Sequence, residues 1–260
     1  MSRARLLLQR IAFVGALLLL WEAATGGFGL PPLLEPIIVA RPSRAFAEIG
    51  AYAATGLLWK DLAATLQAAS IGLALGIVGG VAFGLLLGYA RPIADTIEPV
   101  LIAFNSLPRI ALAPVLVIAF GLGITSKIFL AFFTVFFVIF FNTYLGIRSV
   151  DPELVKAVRV MGGTRRDLAR YVILPSVSSW IFAALRTSVS FALSGAVVGE
   201  FVGSTAGLGY RMVISAGLLD TNRTYAILLL LMAIAVTLVE LAKRVEDRLL
   251  RWRPTAAFMS

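Results

Sequence analysis

The chain has 260 residues, of which 60% are hydrophobic and only 14% are charged, and its net charge is +9. This composition predicts an integral membrane protein, in which excess positive charge is typical of cytoplasmic loops rather than of nucleic-acid binding. The sequence contains neither cysteine nor histidine, which excludes disulfides, thiolate sites and the commonest general base and metal ligand.

Apolar segments predict six transmembrane helices, and hence an all-α polytopic bundle that forms a single permease-like domain over residues 1–260. Each segment has close to the ~20 residues needed to cross a bilayer, or more. The first also resembles a signal peptide with a cleavage site at Ala23-Ala24-Thr25, but retention as an anchor is favoured in a multispanning chain. In chain order the segments are Ile11 to Leu30, Leu62 to Ala90, Pro99 to Gly121, Ile128 to Ile147, Pro175 to Gly203 and Thr224 to Ala242.

The distribution of lysine and arginine predicts the orientation of these spans. With the N-terminus in the cytoplasm, fifteen of the 23 basic residues lie inside and six outside, and Arg109 and Arg186 lie within spans. Cytoplasmic loops carry the excess of positive charge in membrane proteins. Both termini are therefore predicted to be cytoplasmic, and the segment from Phe28 to Asp61 is predicted to be periplasmic.

The second segment carries a strip of glycines. On a helix, residues four apart lie on one face, and a row of small residues there lets another helix approach closely. Glycine is also simply common in membrane helices, but the strict spacing favours a packing surface. The strip consists of Gly72, Gly76, Gly80, Gly84 and Gly88.

A basic, helix-breaking insert separates the fourth and fifth segments, over about residues 151–175. Asp151 and Pro152 are typical of a helix start. The spacing of the apolar residues that follow places Leu154, Val155, Val158 and Met161 on one side of this helix. Gly162-Gly163 predicts the end of this helix, Thr164 and Asp167 predict the capped start of another, and Pro175 could begin the fifth span. The insert is either a shaped docking element or an ordinary basic loop satisfied by lipid headgroups.

Three charged residues within the spans are candidates for a solute pathway. Charge within a membrane span is costly and often functional, so Arg186 and Arg109 could contact an anion. Both could instead extend toward headgroups or bind a backbone carbonyl. Glu200 could pair with Arg211 or line an outer gate, and the sequence does not choose between these roles.

The insert resembles the cytoplasmic loop of bacterial ABC-importer permeases. That loop has the pattern Glu-Ala-Ala, three residues, Gly, nine residues, Ile, one residue and Leu-Pro. The same spacing here joins Lys156-Ala157-Val158, Gly162, Val172 and Leu174-Pro175, with Lys, Val and Val replacing Glu, the second Ala and Ile. Four further stretches resemble the permeases for nitrate, sulfonate and taurine, namely ARPSRAF (40–46), SLPRIALAPVLVIAFGLGITSKIF (106–129), FNTYLGIRSVDPELV (141–155) and VVGEFVGSTAGLGYRM (197–212).

The resemblance implies a type I ABC importer permease in a bacterial inner membrane. Two permease subunits, as a homodimer or a heterodimer, would form one pathway surrounded by lipid, and two ATPase subunits would carry ATP and Mg. A periplasmic or lipid-anchored binding protein would deliver the solute, whose identity the resemblance leaves open. The loop would contact the ATPase through Lys156, Ala157, Val158, Gly162, Gly163, Thr164, Arg165, Arg166, Asp167, Leu174 and Pro175.

The alternative class is an ion-coupled secondary transporter or a channel. A secondary transporter would be expected to carry an acidic residue or histidine in mid-span, whereas Glu22, Glu200 and Glu240 lie near predicted span ends. A channel would leave the insert without a purpose. The sequence contains no G-x-x-x-x-G-K-[ST] phosphate loop, so we expect no catalysis and no bound cofactor or metal in this chain.

Overall fold

A computed structural model describes residues 3–35 and 37–249, and these residues form eleven α-helices. Short 3-10 turns at Gly27–Gly29 and Arg109–Ala111 and a π-helical turn at Ala169–Ile173 interrupt or join them. Arg251 and Arg253, two of the fifteen basic residues predicted to be cytoplasmic, lie outside the described residues. The helices are α1 (Arg3–Ala24), α2 (Pro42–Ala54), α3 (Leu57–Tyr89), α4 (Arg91–Ser106), α5 (Leu112–Phe120), α6 (Ile124–Arg148), α7 (Pro152–Val160), α8 (Arg165–Leu168), α9 (Leu174–Val202), α10 (Leu208–Gly217) and α11 (Thr221–Leu249).

The predicted all-α membrane architecture is confirmed. Within the described ranges, four helical stretches are long and apolar enough to cross a membrane: Leu57–Tyr89, Ile124–Arg148, Arg165–Val202 and Thr221–Arg248. A fifth span results if the bent pair Pro92–Ser106 and Arg109–Phe120 is one crossing. Helix α1 lies where the first of the six spans was expected, and its passage through the membrane stays a prediction.

The described residues divide into two compact units, one formed by residues 3–35, 37–63 and 206–233 and the other by residues 64–205 and 234–249. Helices α3 and α11 contribute residues to both units. The single domain over residues 1–260 stays a prediction.

The first unit is organised around the carboxylate of Asp61, which is only 2% exposed. It accepts hydrogen bonds from the Tyr52 hydroxyl at 2.5 Å, the Gly207 amide at 2.9 Å and Arg211 Nε at 2.9 Å. Burial, together with the hydrogen bond to Asp61, raises the pKa of Tyr52. A buried charge is tolerated when it is paired and hydrogen-bonded, so this network connects α2, the start of α3 and α10.

Helix α6 lies at the centre of the second unit. Its Val135 and Ile139 are fully buried and form a core with Ala184 and Ala192 of α9. On α9, a methyl group added at Gly195 would lie 2.8 Å from the Cα of Ala131. The backbones of α6 and α9 therefore approach too closely there for any larger residue.

The glycine strip of α3 also lies against α6. Residues of α6 face it at the same four-residue spacing, so that each glycine has one principal neighbour. A Cβ atom built at Gly80 would lie 2.8 Å from the Cβ of Ile139, and one built at Gly76 would lie 2.6 Å from Val135 Cγ1. The five pairs are Gly72 with Ala131, Gly76 with Val135, Gly80 with Ile139, Gly84 with Thr143 and Gly88 with Ile147.

Candidate coupling element and membrane cavity

The insert between the fourth and fifth predicted spans begins with a capped helix. The Asp151 carboxylate accepts a hydrogen bond from the Glu153 amide at 2.8 Å, and Pro152 occupies the first helical position. This N-cap is the one that the sequence predicts. Helix α7 half-buries Val155 and Val158, while Leu154 is 51% exposed, so only part of the expected apolar side is covered.

The glycine pair forms the elbow, and its two members are required for different reasons. Gly162 has φ +75°, a left-handed conformation that favours glycine, with open space around its Cα. Gly163 has no such torsion, but a Cβ there would lie 2.6 Å from Val158 Cγ1 and 2.8 Å from the Val158 carbonyl oxygen. The Gly163 amide donates to that carbonyl at 2.9 Å, which closes the end of α7.

A capping box starts the next helix, as the sequence predicts. The Thr164 amide and hydroxyl donate to Asp167 Oδ2 at 2.8 and 2.6 Å, and the Asp167 amide donates back to the hydroxyl at 3.3 Å. These hydrogen bonds pair two groups at the start of the helix and fix the backbone that follows the glycine pair.

The second helix of the insert is not a separate element, which corrects the expectation that the fifth span begins at Pro175. Helix α8 runs through the π-helical turn Ala169–Ile173 directly into α9, and together they form one helical stretch from Arg165 to Val202. Proline lacks an amide hydrogen, and a wider turn before it can absorb the missing hydrogen bond. The elbow is therefore connected to a candidate membrane span by a continuous helix, with no loop between them.

The tip of the insert exposes large apolar side chains. Val160 is 87% exposed and Met161 is 86% exposed, directly before the elbow. Lys156 is also exposed and donates to Glu153 at 2.8 Å, and Arg165 and Arg166 are exposed beyond the elbow. A mixed apolar and basic tip held by two caps can present one fixed shape to a partner.

A bend divides the third predicted span, for which the sequence predicts one segment from Pro99 to Gly121. Leu107 and Pro108 are extended, and the helices on either side meet at 79°. The physical reason is Pro108, which disfavours a helical conformation at the preceding residue and donates no hydrogen bond. The first half also starts earlier than expected, at Arg91, and contains Pro99 within it.

A cavity of about 400 Å³ lies at this bend. Its wall combines residues of the bend with side chains of α6 and α9. The polar members are Asn105, Arg109, Thr134 and Ser194. Arg109 Nη2 donates to Asn105 Oδ1 at 2.7 Å across the bend.

The structure separates the charged pathway candidates. Arg186 forms an ion pair with Glu246 of α11, with Nη2 2.7 Å from Oε2, and does not line the cavity. Glu200 is 2% exposed and accepts a hydrogen bond from Thr65 at 2.8 Å. Arg211 forms an ion pair with Asp61, with Nε 2.9 Å from Oδ2. Arg109, the weaker candidate in the sequence, is the one at the cavity.

A capped elbow between two candidate membrane helices and a polar cavity at a broken helix are compatible with a transport permease. The family model described as "Binding-protein-dependent transport system inner membrane component" matches residues 72–251. The chain belongs to this family and is a multi-pass inner-membrane permease of the ABC-importer type. Membership favours this class over the secondary transporter or channel.

Named relatives are similar over nearly their whole lengths. The riboflavin transport system permease protein RibX of Chloroflexus aurantiacus is 36% identical over 91% of this chain and 87% of its own. The formylaminopyrimidine transport permease protein ThiX of Halalkalibacterium halodurans is 33% identical, over 97% and 99%. The taurine transport system permease protein TauC of Escherichia coli is 29% identical, over 86% and 80%, which supports the resemblance to the sulfonate and taurine group.

A solved structure shares the fold. An inward-facing structure of the MetNI methionine ABC transporter superposes with a TM-score of 0.61 at 22% identity, over 76% of this chain and 96% of the other. At this identity the likeness concerns the fold alone. The predicted type I importer permease fold is thereby confirmed.

Proposed function

We propose that the chain forms the translocation pathway of an ABC importer for a small solute and that residues 151–175 couple this pathway to a separate ATPase subunit. The solute class is an organic or inorganic anion, such as nitrate, a sulfonate or taurine. The assembly would contain two ATPase subunits that hold ATP and Mg, a second permease copy and a periplasmic or lipid-anchored binding protein.

The observation that carries the coupling role is the exposed tip of the insert. Val160 and Met161 have most of their apolar surface in solvent, although neighbouring caps and the Gly162 torsion fix the backbone that presents them. Lipid headgroups would satisfy the basic side chains of the insert, but lipid would cover Val160 and Met161 only if the tip entered the boundary between headgroups and acyl chains. A protein cleft that accepts one short helix and its elbow suits both, and an ATPase subunit is the partner that an importer requires.

The proposed function can be tested by measuring whether transport depends on the ATPase subunits and the binding protein. The full chain would be reconstituted in proteoliposomes with its ATPase subunits and its binding protein. The binding protein would be supplied with the ligand that it carries. We expect solute accumulation that requires all three components and hydrolysable ATP. Accumulation driven by an ion gradient without ATPase subunits would instead establish the secondary transporter.

Orientation can be tested because the chain contains no native cysteine. The positive charge of the insert predicts a cytoplasmic location, and Leu218, which is 76% exposed at the end of α10, would then be periplasmic. In intact cells with a permeabilised outer membrane, a membrane-impermeant maleimide should label Leu218→Cys and spare Met161→Cys. As a control, both cysteines should react once the inner membrane is opened. The reverse pattern in intact cells would contradict the proposed cytoplasmic termini.

A further inference from the structure

We infer that the cavity at the bend between α4 and α5 is a solute subsite in which Arg109 binds an oxyanion group. The group is a sulfonate, carboxylate or phosphate, carried by a solute with a small apolar or ring-shaped body. This inference rests on the proposed import function and deepens it, because it assigns a chemical class and a residue to the pathway.

The backbone at the bend provides the first argument. Leu107 and Pro108 leave the helical conformation inside an apolar segment, and the regular helical hydrogen bonds are replaced there by short-range ones from the Leu107 amide to the Phe104 carbonyl and from the Ala111 amide to the Pro108 carbonyl. Non-helical backbone at membrane depth is tolerated where it is buried in protein or lines a water-filled cavity. The presence of a cavity at the break fits the second case, and broken helices of this kind surround solutes in other transporters.

The guanidinium of Arg109 provides the second argument. Asn105 accepts from its Nη2, but among the described residues its buried Nε has no hydrogen-bond partner, and no carboxylate pairs with it as Glu246 pairs with Arg186. A charged donor within a span is costly unless acceptors are supplied. An oxyanion would supply them, since a guanidinium binds two oxygens of such a group side by side.

The remaining wall determines the body of the solute. Ile110, Leu130 and Phe191 give the cavity an apolar side. The Thr134 hydroxyl adds to this side, because it donates to the backbone carbonyls of Ala131 and Phe191 rather than to a solute. A volume of about 400 Å³ lies within the range of roughly 300–1,000 Å³ that small-molecule sites occupy. The cavity thus has room for a one-ring solute that places its ring on the apolar side and its charge at Arg109.

The test uses benzenesulfonate as the probe and benzenesulfonamide as its uncharged counterpart. The full chain, copurified with its ATPase, would be placed in phosphatidylcholine nanodiscs and titrated by ligand-observed NMR. We expect saturable binding of benzenesulfonate, weaker binding of the sulfonamide, and a loss of benzenesulfonate affinity of about tenfold or more in Arg109→Gln. Arg109→Lys should recover only part of the loss because lysine offers no paired donors.

The control variant is Arg186→Gln/Glu246→Gln, which removes an ion pair within the same unit and should leave probe affinity unchanged. Equal affinity in wild type and Arg109→Gln, or no saturable binding to wild type, would overturn the subsite. Adding phosphatidylglycerol distinguishes a lipid source, since competition by this lipid would assign the oxyanion to a headgroup and overturn the solute subsite. Copurification of the ATPase with the wild-type chain is measured separately. Failure to copurify would contradict the proposed function. If the ATPase does copurify, the binding data test the subsite alone.

Discussion

Gly80→Leu should prevent the second unit from assembling, although the chain should still enter the membrane. A Cβ at Gly80 would lie 2.8 Å from Ile139 Cβ and 2.9 Å from the Phe136 carbonyl oxygen, and neither a β-branched core residue nor a backbone can move aside cheaply. Overpacking commonly costs about 1–3 kcal/mol per site, and a leucine adds three carbons beyond that Cβ. In lipid, close packing is a principal attraction between helices, so α3 and α6 should separate.

The measurement is the fraction of membrane-extracted protein that elutes as a single species and resists limited proteolysis. Gly15→Leu is the matched control, because Gly15 also lies in an apolar helix but has no neighbour within 4 Å of a built Cβ. We expect Gly15→Leu to behave like wild type in both assays. A Gly80→Leu protein that assembles and transports normally would show that the strip is not a packing surface.

Gly162→Val/Gly163→Val should uncouple the permease from its ATPase. Valine at Gly162 would have to adopt φ near +75°, which costs about 1–2 kcal/mol for a residue with a Cβ and more for a β-branched one. Valine at Gly163 would collide with Val158 at the end of α7. The two helices would then meet at another angle, and the tip at Val160 and Met161 would no longer fit a cleft of fixed shape.

Copurification of the ATPase and solute-stimulated ATP hydrolysis would measure this effect. Arg165→Ala is the comparison, since an exposed charge contributes only about 0–1 kcal/mol through a surface ion pair, and it should reduce both readouts much less than the double valine. Membrane insertion should survive in both variants. Full coupling in the double valine would mean that the elbow does not transmit the motion of the ATPase.

Local sequence signals predicted local structure well. The caps at Asp151 and Thr164 depend on residues two or three positions away, and the glycine elbow depends on torsions within one turn. The periodicity of the α3 glycines likewise follows from helix geometry, so a packing face could be expected, although its partner helix could not be named. The turn before Pro175 was missed because a π-helical turn has no recognisable sequence pattern.

The cavity depended on information that the sequence does not display. Pro108 was a visible signal for a break, but a proline in an apolar segment is compatible with a kinked span, and the 79° bend depends on packing. Arg109 and Arg186 were both charges within predicted spans, and Arg186 was the stronger candidate of the two. Only the folded chain shows that Arg186 pairs with Glu246, sixty positions away, and leaves Arg109 at the cavity.

The coupling role of the insert can be tested most directly by a single cross-link. Because the chain has no native cysteine, Met161→Cys can carry a maleimide-linked photo-cross-linker at the exposed tip, and Leu218→Cys can carry the same group at an exposed position in the other unit. Both variants would be labelled in opened membrane vesicles that contain the ATPase, irradiated and analysed by mass. We expect the ATPase to be joined to Met161→Cys and not to Leu218→Cys, whereas a Met161→Cys chain joined only to lipid would contradict the coupling role.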